Sequence, residues 1–175
     1  MSGVGCCVKK DPMRSVVLIY VLISCLSSFA QKQLPNVGDI AFDPAVDDPG
    51  FRICYEPEIF QYYNFGKGLQ YEGEKIKIVQ HFQNNYKSKE FGSVQGFITI
   101  RFIVNCEGKT GRFRIQEMDN HYNAAVFPKA LTDQLLELTK MLEGWTPAAY
   151  EGTKMDYYQY LTFKIENGDI KEIMP

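Results

Sequence analysis

Three patterns in this chain predict an α+β fold, with helices and strands in the order α-β-β-α-β and a small antiparallel sheet packed by two helices. Residues 96–105 alternate apolar and mixed side chains with a period of two, and 112–116 repeat the alternation after a turn. Leu131, Leu135, Leu138 and Leu142 then form one continuous stripe at helical spacing. Upstream, Ile78, Phe82 and Tyr86 recur four residues apart, with Ile76 and Val79 near the same face.

The elements follow in order. GEKIKIVQHFQNNYKSKEF predicts one amphipathic helix over about residues 72–88. In GFITIRFIVNCEGKTGRFRI, residues 96–115, Ile98, Ile100, Phe102 and Val104 alternate with Phe97, Thr99, Arg101, Ile103 and Asn105. Cys106-Glu107-Gly108-Lys109 supplies the turn, with Gly108 open to positive φ. Arg112, Arg114 and Gln116 alternate with Phe113 and Ile115 on the return strand, so Ile98, Ile100, Phe102, Phe113 and Ile115 form a face needing cover. The leucine helix provides that cover, with Pro128 in its first turn and Gly144 as its end. Trp145 leaves that helix for the core. In KMDYYQYLTFKIENG, Tyr157, Leu161, Phe163 and Ile165 point inward, and Tyr158, Tyr160, Thr162 and Lys164 face the other way. Asn167-Gly168 signals a turn, and 170–173 a short final strand.

The beginning of the chain is a different material. VVLIYVLI, residues 16–23, follows Lys9, Lys10 and Arg14 and runs into small residues. It falls far short of the roughly 20 apolar residues that a membrane-spanning helix needs. This is the pattern of a secretory signal over residues 1–30, with Met13 as a second candidate start. Ser28-Phe29-Ala30 predicts cleavage before Gln31, whereas Leu22-Ile23-Ser24-Cys25 resembles a lipobox and makes Cys25 a lipidation candidate. Either outcome places the chain in an exported setting, with a membrane touched only through the signal or a lipid anchor. Residues 31–70 read as a lead-in or cap, loosely packed over 31–50 and aromatic over 51–65, and 71–175 as the domain proper.

Charge and cysteines narrow the function. The formal net charge is -2, and losing the leader, with Lys9, Lys10, Arg14 and Asp11, takes it to -4. Lys and Arg are scattered, so no dense patch for nucleic acid exists. Of five cysteines, Cys6, Cys7 and Cys25 lie in the leader, leaving Cys54 and Cys106. In an oxidising compartment that pair suggests a disulfide, and closing such a loop stabilises by roughly 4 kcal/mol in the chain-entropy account. The alternative is two buried thiols. His81 and His121, the only histidines, make no Cys/His cluster with ligand spacing, so neither metal nor cofactor is expected. Glu56 and Glu58 flank Pro57 as surface carboxylates, His81 sits in a helical pattern, and His121 in the loop DNHYN. With no GxSxG, phosphate-cradling loop or triad, the chain does not read as an enzyme.

The run GFITIRFIVNCEGKTGRFRI, then ALTDQLLELTKMLEGWTPA, then EGTKMDYYQYLTFKI resembles the C-terminal domain of TonB proteins. The resemblance lies in Gly96 to Phe102, the Glu107-Gly108 turn, Arg112 to Glu117, the helix running to Trp145-Thr146-Pro147-Ala148, and Gly152 to Ile165. YEGEKIKIVQHFQNNYKSKEFG is similar to the helix and linker that open the shorter bacterial variants, so the likeness covers about residues 70–166. It implies a periplasmic or cell-envelope binding module that contacts an outer-membrane receptor peptide, or another envelope protein, by strand addition and serves transport across the envelope. Carried onto this chain, the partner-binding edge is the last long strand: Asp156, Tyr157, Tyr158, Gln159, Tyr160, Leu161, Thr162, Phe163 and Lys164, with Tyr158 and Tyr160 as specificity contacts. The chain departs from the family in lacking a membrane helix and a long Pro-rich spacer, which separates partner binding from energy transduction. A self-associating envelope protein, dimerising through the same edge, is the competing expectation.

Overall fold

The structure is a computed structural model that describes residues 38–55, 58–66, 68–88 and 91–175. The expected signal, Met13, Cys25 and Glu56 lie outside the described residues. The architecture below is that of the unit spanning Ile40–Pro175. Among the described residues, no helix is long and apolar enough to cross a membrane.

The fold is α+β. Strand β1 (Phe60–Gln61) runs into a 3-10 turn at Tyr62–Phe65, followed by helix α1 (Glu74–Asn85). Strands β2 (Gly96–Val104) and β3 (Thr110–Met118) form the central hairpin, followed by helix α2 (Lys129–Lys140). A small hairpin, β4 (Ala148–Tyr150) and β5 (Thr153–Met155), leads to β6 (Tyr157–Glu166) and β7 (Asp169–Met174). The five-stranded sheet has the order β1-β6-β2-β3, and β7 also pairs with β6. All of its pairings are antiparallel except β1 with β6.

Period-two alternation sorts this sheet into two faces. Ile98, Ile100, Phe102 and Val104 of β2 and Tyr157, Leu161, Phe163 and Ile165 of β6 are buried together under both helices. From α1 come Ile78 and Phe82, and the α2 segment supplies Leu131, Leu135, Leu138 and Leu142. Trp145 joins them, edge-on to Tyr71 and Phe102 at 4.8 and 5.2 Å between ring centroids. Ile76, by contrast, is 64% exposed, because it lies two residues from Ile78 and so on the opposite side of α1.

The second face is not left to solvent. Ile40 packs there with Ile103 and Tyr158, and Phe51, Ile53 and Ile59 close around them. The compact unit begins at Ile40, and the segment read from the sequence as a lead-in or cap packs onto the sheet through isolated apolar residues too irregular to show periodicity. Gly111 permits the contact, since a Cβ there would lie 2.4 Å from the Phe51 ring.

Two β-bulges tune the alternation. Between Arg101 and Ile103 the β2–β3 register slips by one residue, with Arg112 at φ 52°. Phe113 thereby stacks on Phe102 at 5.2 Å. A second slip puts Ile170 opposite Ile165 and Ile173 opposite Phe163, so both β7 isoleucines face the helices despite their spacing of three. The β2–β3 turn forms as expected, with Gly108 at φ 81° and its N–H donating to Asn105 O at 2.8 Å. Asn167 and Gly168, at φ 53° and 77°, close the β6–β7 hairpin. Helix α2 ends at Lys140, before Gly144, which instead lies under the Tyr71 ring where a Cβ would meet it at 2.8 Å. Pro128 is the residue just before the first turn of that helix.

Substitution at two apolar positions separates the faces of the fold. Phe163→Ala, which empties a fully buried site against Phe82, is expected to cost about 3–5 kcal/mol in denaturant unfolding. Ile76→Asn is expected to stay within about 0.5 kcal/mol of the parent.

Candidate functional site

The expected binding strand, β6, is the most heavily paired strand of the sheet. Its entire length from Tyr157 to Ile165 is in register with β2. On its other side, Tyr157 and Tyr158 pair with β1, and Thr162 to Glu166 pair with β7. Asp156 to Lys164 is therefore not an open sheet edge. The short C-terminal strand, expected from the sequence over 170–173 but without a place in the sheet, occupies half of the flank that the resemblance left free, and the parallel β1 takes the start of it.

The side chains of this strand are correspondingly engaged. Tyr157, Leu161 and Phe163 are fully buried in the main core, and the Tyr157 hydroxyl donates to Thr146 O at 3.1 Å. Burial holds that phenol well above its usual range. Tyr158, expected as a specificity contact, is only 3% exposed, and its hydroxyl accepts from Ile40 N–H at 3.4 Å. Gln159 is buried and donates from Nε2 to Tyr160 O at 2.9 Å. Tyr160 is half-buried, edge-on to Tyr62 at 5.1 Å, and the hydrogen bond with Tyr62, helped by burial, pushes its phenol up to about 12. Thr162 and Thr99 share a hydroxyl contact of 3.0 Å across the sheet. Lys164 pairs with Glu166 at 2.7 Å at the surface.

Asp156 has a different task from the one expected. It is fully buried just before β6, and its carboxylate accepts three backbone N–H groups. Oδ2 takes those of Cys54 at 2.8 Å and Tyr55 at 2.7 Å, while Oδ1 takes that of Cys106 at 2.8 Å. Cys54 and Cys106 are joined by a disulfide, with Cα atoms 6.1 Å apart. Asn105 adds to the clamp: its Oδ1 accepts from Glu107 and Lys109 N–H in the turn, and its Nδ2 donates to Arg52 O. Covalent and polar links thus tie segment 52–55, the β2–β3 turn and the entry to β6 together. The disulfide was legible from cysteine arithmetic. Asp156 gave no signal, because its partners are backbone groups from segments far away in sequence.

Apart from the two-residue β1, the outer edges of this sheet belong to β3 and β7. Along β3, Arg114 makes a two-pronged pair with Asp47, at 2.7 Å in each contact, and donates to Ala41 O at 2.7 Å. The Arg114 hydrogen bond, in a site where Asp47 is nearly buried, holds that carboxyl below its usual range. The Arg112 bulge and this clamp blunt the β3 edge. The outer edge of β7 has no strand partner among the described residues. Beside it, a groove of about 360 Å³ separates the strand from α1. Val79, Phe82, Ile170 and Ile173 give it an apolar floor, and Lys75 and Lys171 stand at its rim. Tyr86 closes one end, with its hydroxyl donating to Gly168 O at 2.7 Å and its phenol pushed by burial up to about 12.

The histidines occupy the places expected of them. His81 on α1 contacts Leu138 O through Nε2 at 2.9 Å, and His121 sits in the turn braced by Asp119. Glu58 is exposed. In comparisons with protein-family models, curated proteins and solved structures, nothing matches this chain. The likeness to the TonB C-terminal domain rests on the residues quoted for it.

Asp156→Asn is expected to destabilise the fold on the order of 3 kcal/mol, read by chemical denaturation, because the buried carboxylate that accepts three backbone N–H groups becomes an amide. Reducing the disulfide at neutral pH is expected to lower stability by about 4 kcal/mol in the same assay. Acid stability follows Asp47, whose folded value lies below the unfolded one. Its contribution is fully present above the unfolded value of about 4 and is lost as pH falls through the folded value. Asp47→Asn is expected to remove that part of the acid limb in a pH series of melting temperatures.

Proposed function

We propose that the chain is a binding module of the cell envelope that captures an extended segment of a partner protein by strand addition at β7. The observation that carries this reading is the outer edge of β7, which has no strand partner among the described residues, beside the apolar groove under α1. Main-chain groups of an incoming strand continue the sheet beyond β7, and alternate side chains of that strand enter the groove. Val79, Phe82, Ile170 and Ile173 then select apolar residues, while Lys75 and Lys171 attract acidic ones near the strand ends.

The TonB-like pattern supports an outer-membrane receptor peptide, or another envelope protein, as the partner, and with it a role in transport across the envelope. The receiving edge lies one strand further out than the pattern implies, since β7 and β1 flank β6. Binding at β7 requires no rearrangement of the sheet. Binding at β6 would require peeling β7 away, including the buried Ile173. Chemistry on a substrate is no part of this reading.

The experiment is an NMR titration of residues 31–175 with peptides copying receptor N-terminal boxes. Amide shifts are expected to concentrate on 169–174 and on the groove side of α1, and Val79→Lys is expected to weaken binding at least about tenfold. Loss of β7 signals together with shifts at 157–161 would mean strand exchange at β6 instead. No shift up to millimolar peptide leaves less than about 4 kcal/mol of binding and ends the proposal. A mass that doubles with concentration would point to self-association through the same edge.

A further inference from the structure

We propose that the reduced form of the Cys54–Cys106 pair, together with Asp156, is a binding site for a zinc-like divalent ion, so that the clamp on segment 52–55 has an oxidised and a metal-bound form. The two sulfurs and a carboxylate oxygen of Asp156 lie within 4.8 Å of one another. Tetrahedral zinc bound at about 2.3 Å to sulfur and 2.0–2.2 Å to oxygen needs its ligand atoms roughly 3–4 Å apart, so small side-chain rotations suffice. Two thiolates and one carboxylate are a donor set suited to zinc, with water in the fourth position.

The surroundings already orient these ligands. The N–H groups of Cys54 and Cys106 both donate to Asp156, which fixes the carboxylate between the two cysteine backbones. Three N–H groups occupy three of the roughly four lone-pair sites of a carboxylate, which leaves one for a metal. No lysine or arginine forms an ion pair with Asp156 among the described residues, so no cation need be displaced. Cys54 is exposed and gives the ion a path from solvent, whereas Asp156 is fully buried and gives the site a rigid floor. The three ligands stand at positions 54, 106 and 156, a spacing that carries no sequence signature and explains why ligand counting along the chain finds nothing.

The chemistry balances with a reductant of the phosphine or thiol class. A phosphine takes up an oxygen from water and becomes the phosphine oxide, while the disulfide gains two electrons and two protons to give two thiols. Zinc then replaces the two thiol protons, which are released to solvent, and bonds to both sulfurs. The ion restores the link between segment 52–55 and the β2–β3 turn that reduction had opened. The disulfide and the metal cannot occupy the site together.

The test uses the full chain with Cys6, Cys7 and Cys25 each replaced by serine, so that only the proposed thiols remain. After reduction with a water-soluble phosphine and its removal without air, zinc chloride is titrated in competition with a chromogenic chelator. The expected result is one zinc per reduced chain with two protons released, and no binding to the oxidised chain. A C54S/C106S chain is expected to bind none, and Asp156→Asn at least about tenfold more weakly than the parent. The proposal is overturned if the reduced chain takes up no stoichiometric zinc, if the serine pair binds equally, or if a folded Asp156→Asn chain binds with unchanged affinity. Should circular dichroism show that Asp156→Asn does not fold, cobalt(II) on the unsubstituted site decides the matter. Intense four-coordinate bands with thiolate charge transfer support the site, and a weak six-coordinate spectrum overturns it.

Discussion

Everything in this domain is arranged around the pairing of β2 with β6. The two strands are the longest stretch of continuous register in the sheet, from Gly96 opposite Ile165 to Val104 opposite Tyr157. Both carry an apolar row toward the helices, interrupted in β6 by Gln159 opposite Phe102, and toward the other face they contribute Ile103 and Tyr158 to a second cluster. A strand buried on both sides cannot tolerate a shift of one residue, because every side chain would change face. Helices, bulges and the N-terminal segment are fitted to that fixed pair.

The same centrality explains why the likeness to a peptide-binding edge and the observed sheet diverge. A long strand rich in tyrosine, valine-like and aromatic side chains is as good an interior strand as a receiving edge. What decides is whether another segment reaches its flank. Here the tight Asn167-Gly168 turn returns the chain immediately, and the bulge after it keeps two isoleucines in the core while the polar residues between them stay outside. The edge available to another chain therefore belongs to a shorter, more charged strand lying against a helix.

The central hairpin, both long helices and the inward row of β6 were legible because each has a strong internal period. Leu131, Leu135, Leu138 and Leu142 announce their own burial, and Ile98 to Val104 announce theirs. The lead-in was not legible: Ile40, Phe51, Ile53 and Ile59 are single anchors in an irregular path, and their burial depends on a surface made by residues far along the chain. The end of α2 was misjudged for a related reason, since Gly144 is shaped by the ring of Tyr71 and not by helix termination. Of the site, the disulfide could be inferred by counting and the tyrosine row by alternation. The pairing of β1 and β7 with β6 could not, because backbone hydrogen bonding between short strands leaves almost no trace in side-chain order.

Asp156 carries one more consequence, in the order of events during synthesis. It lies 102 residues after Cys54 and 50 after Cys106, yet it accepts hydrogen bonds from the backbone of both. A chain made from its N-terminus exposes both thiols before the carboxylate that organises them exists. Until β6 has been made, the N–H groups of residues 54, 55 and 106 have only water as a partner, and β2 has lost one of its two neighbours. Completion of the fold is thus deferred to the last ninth or so of the chain, with the non-local contacts that make folding slow. A ribosome paused before residue 156 would hold a polypeptide with every cysteine present and the interior still open.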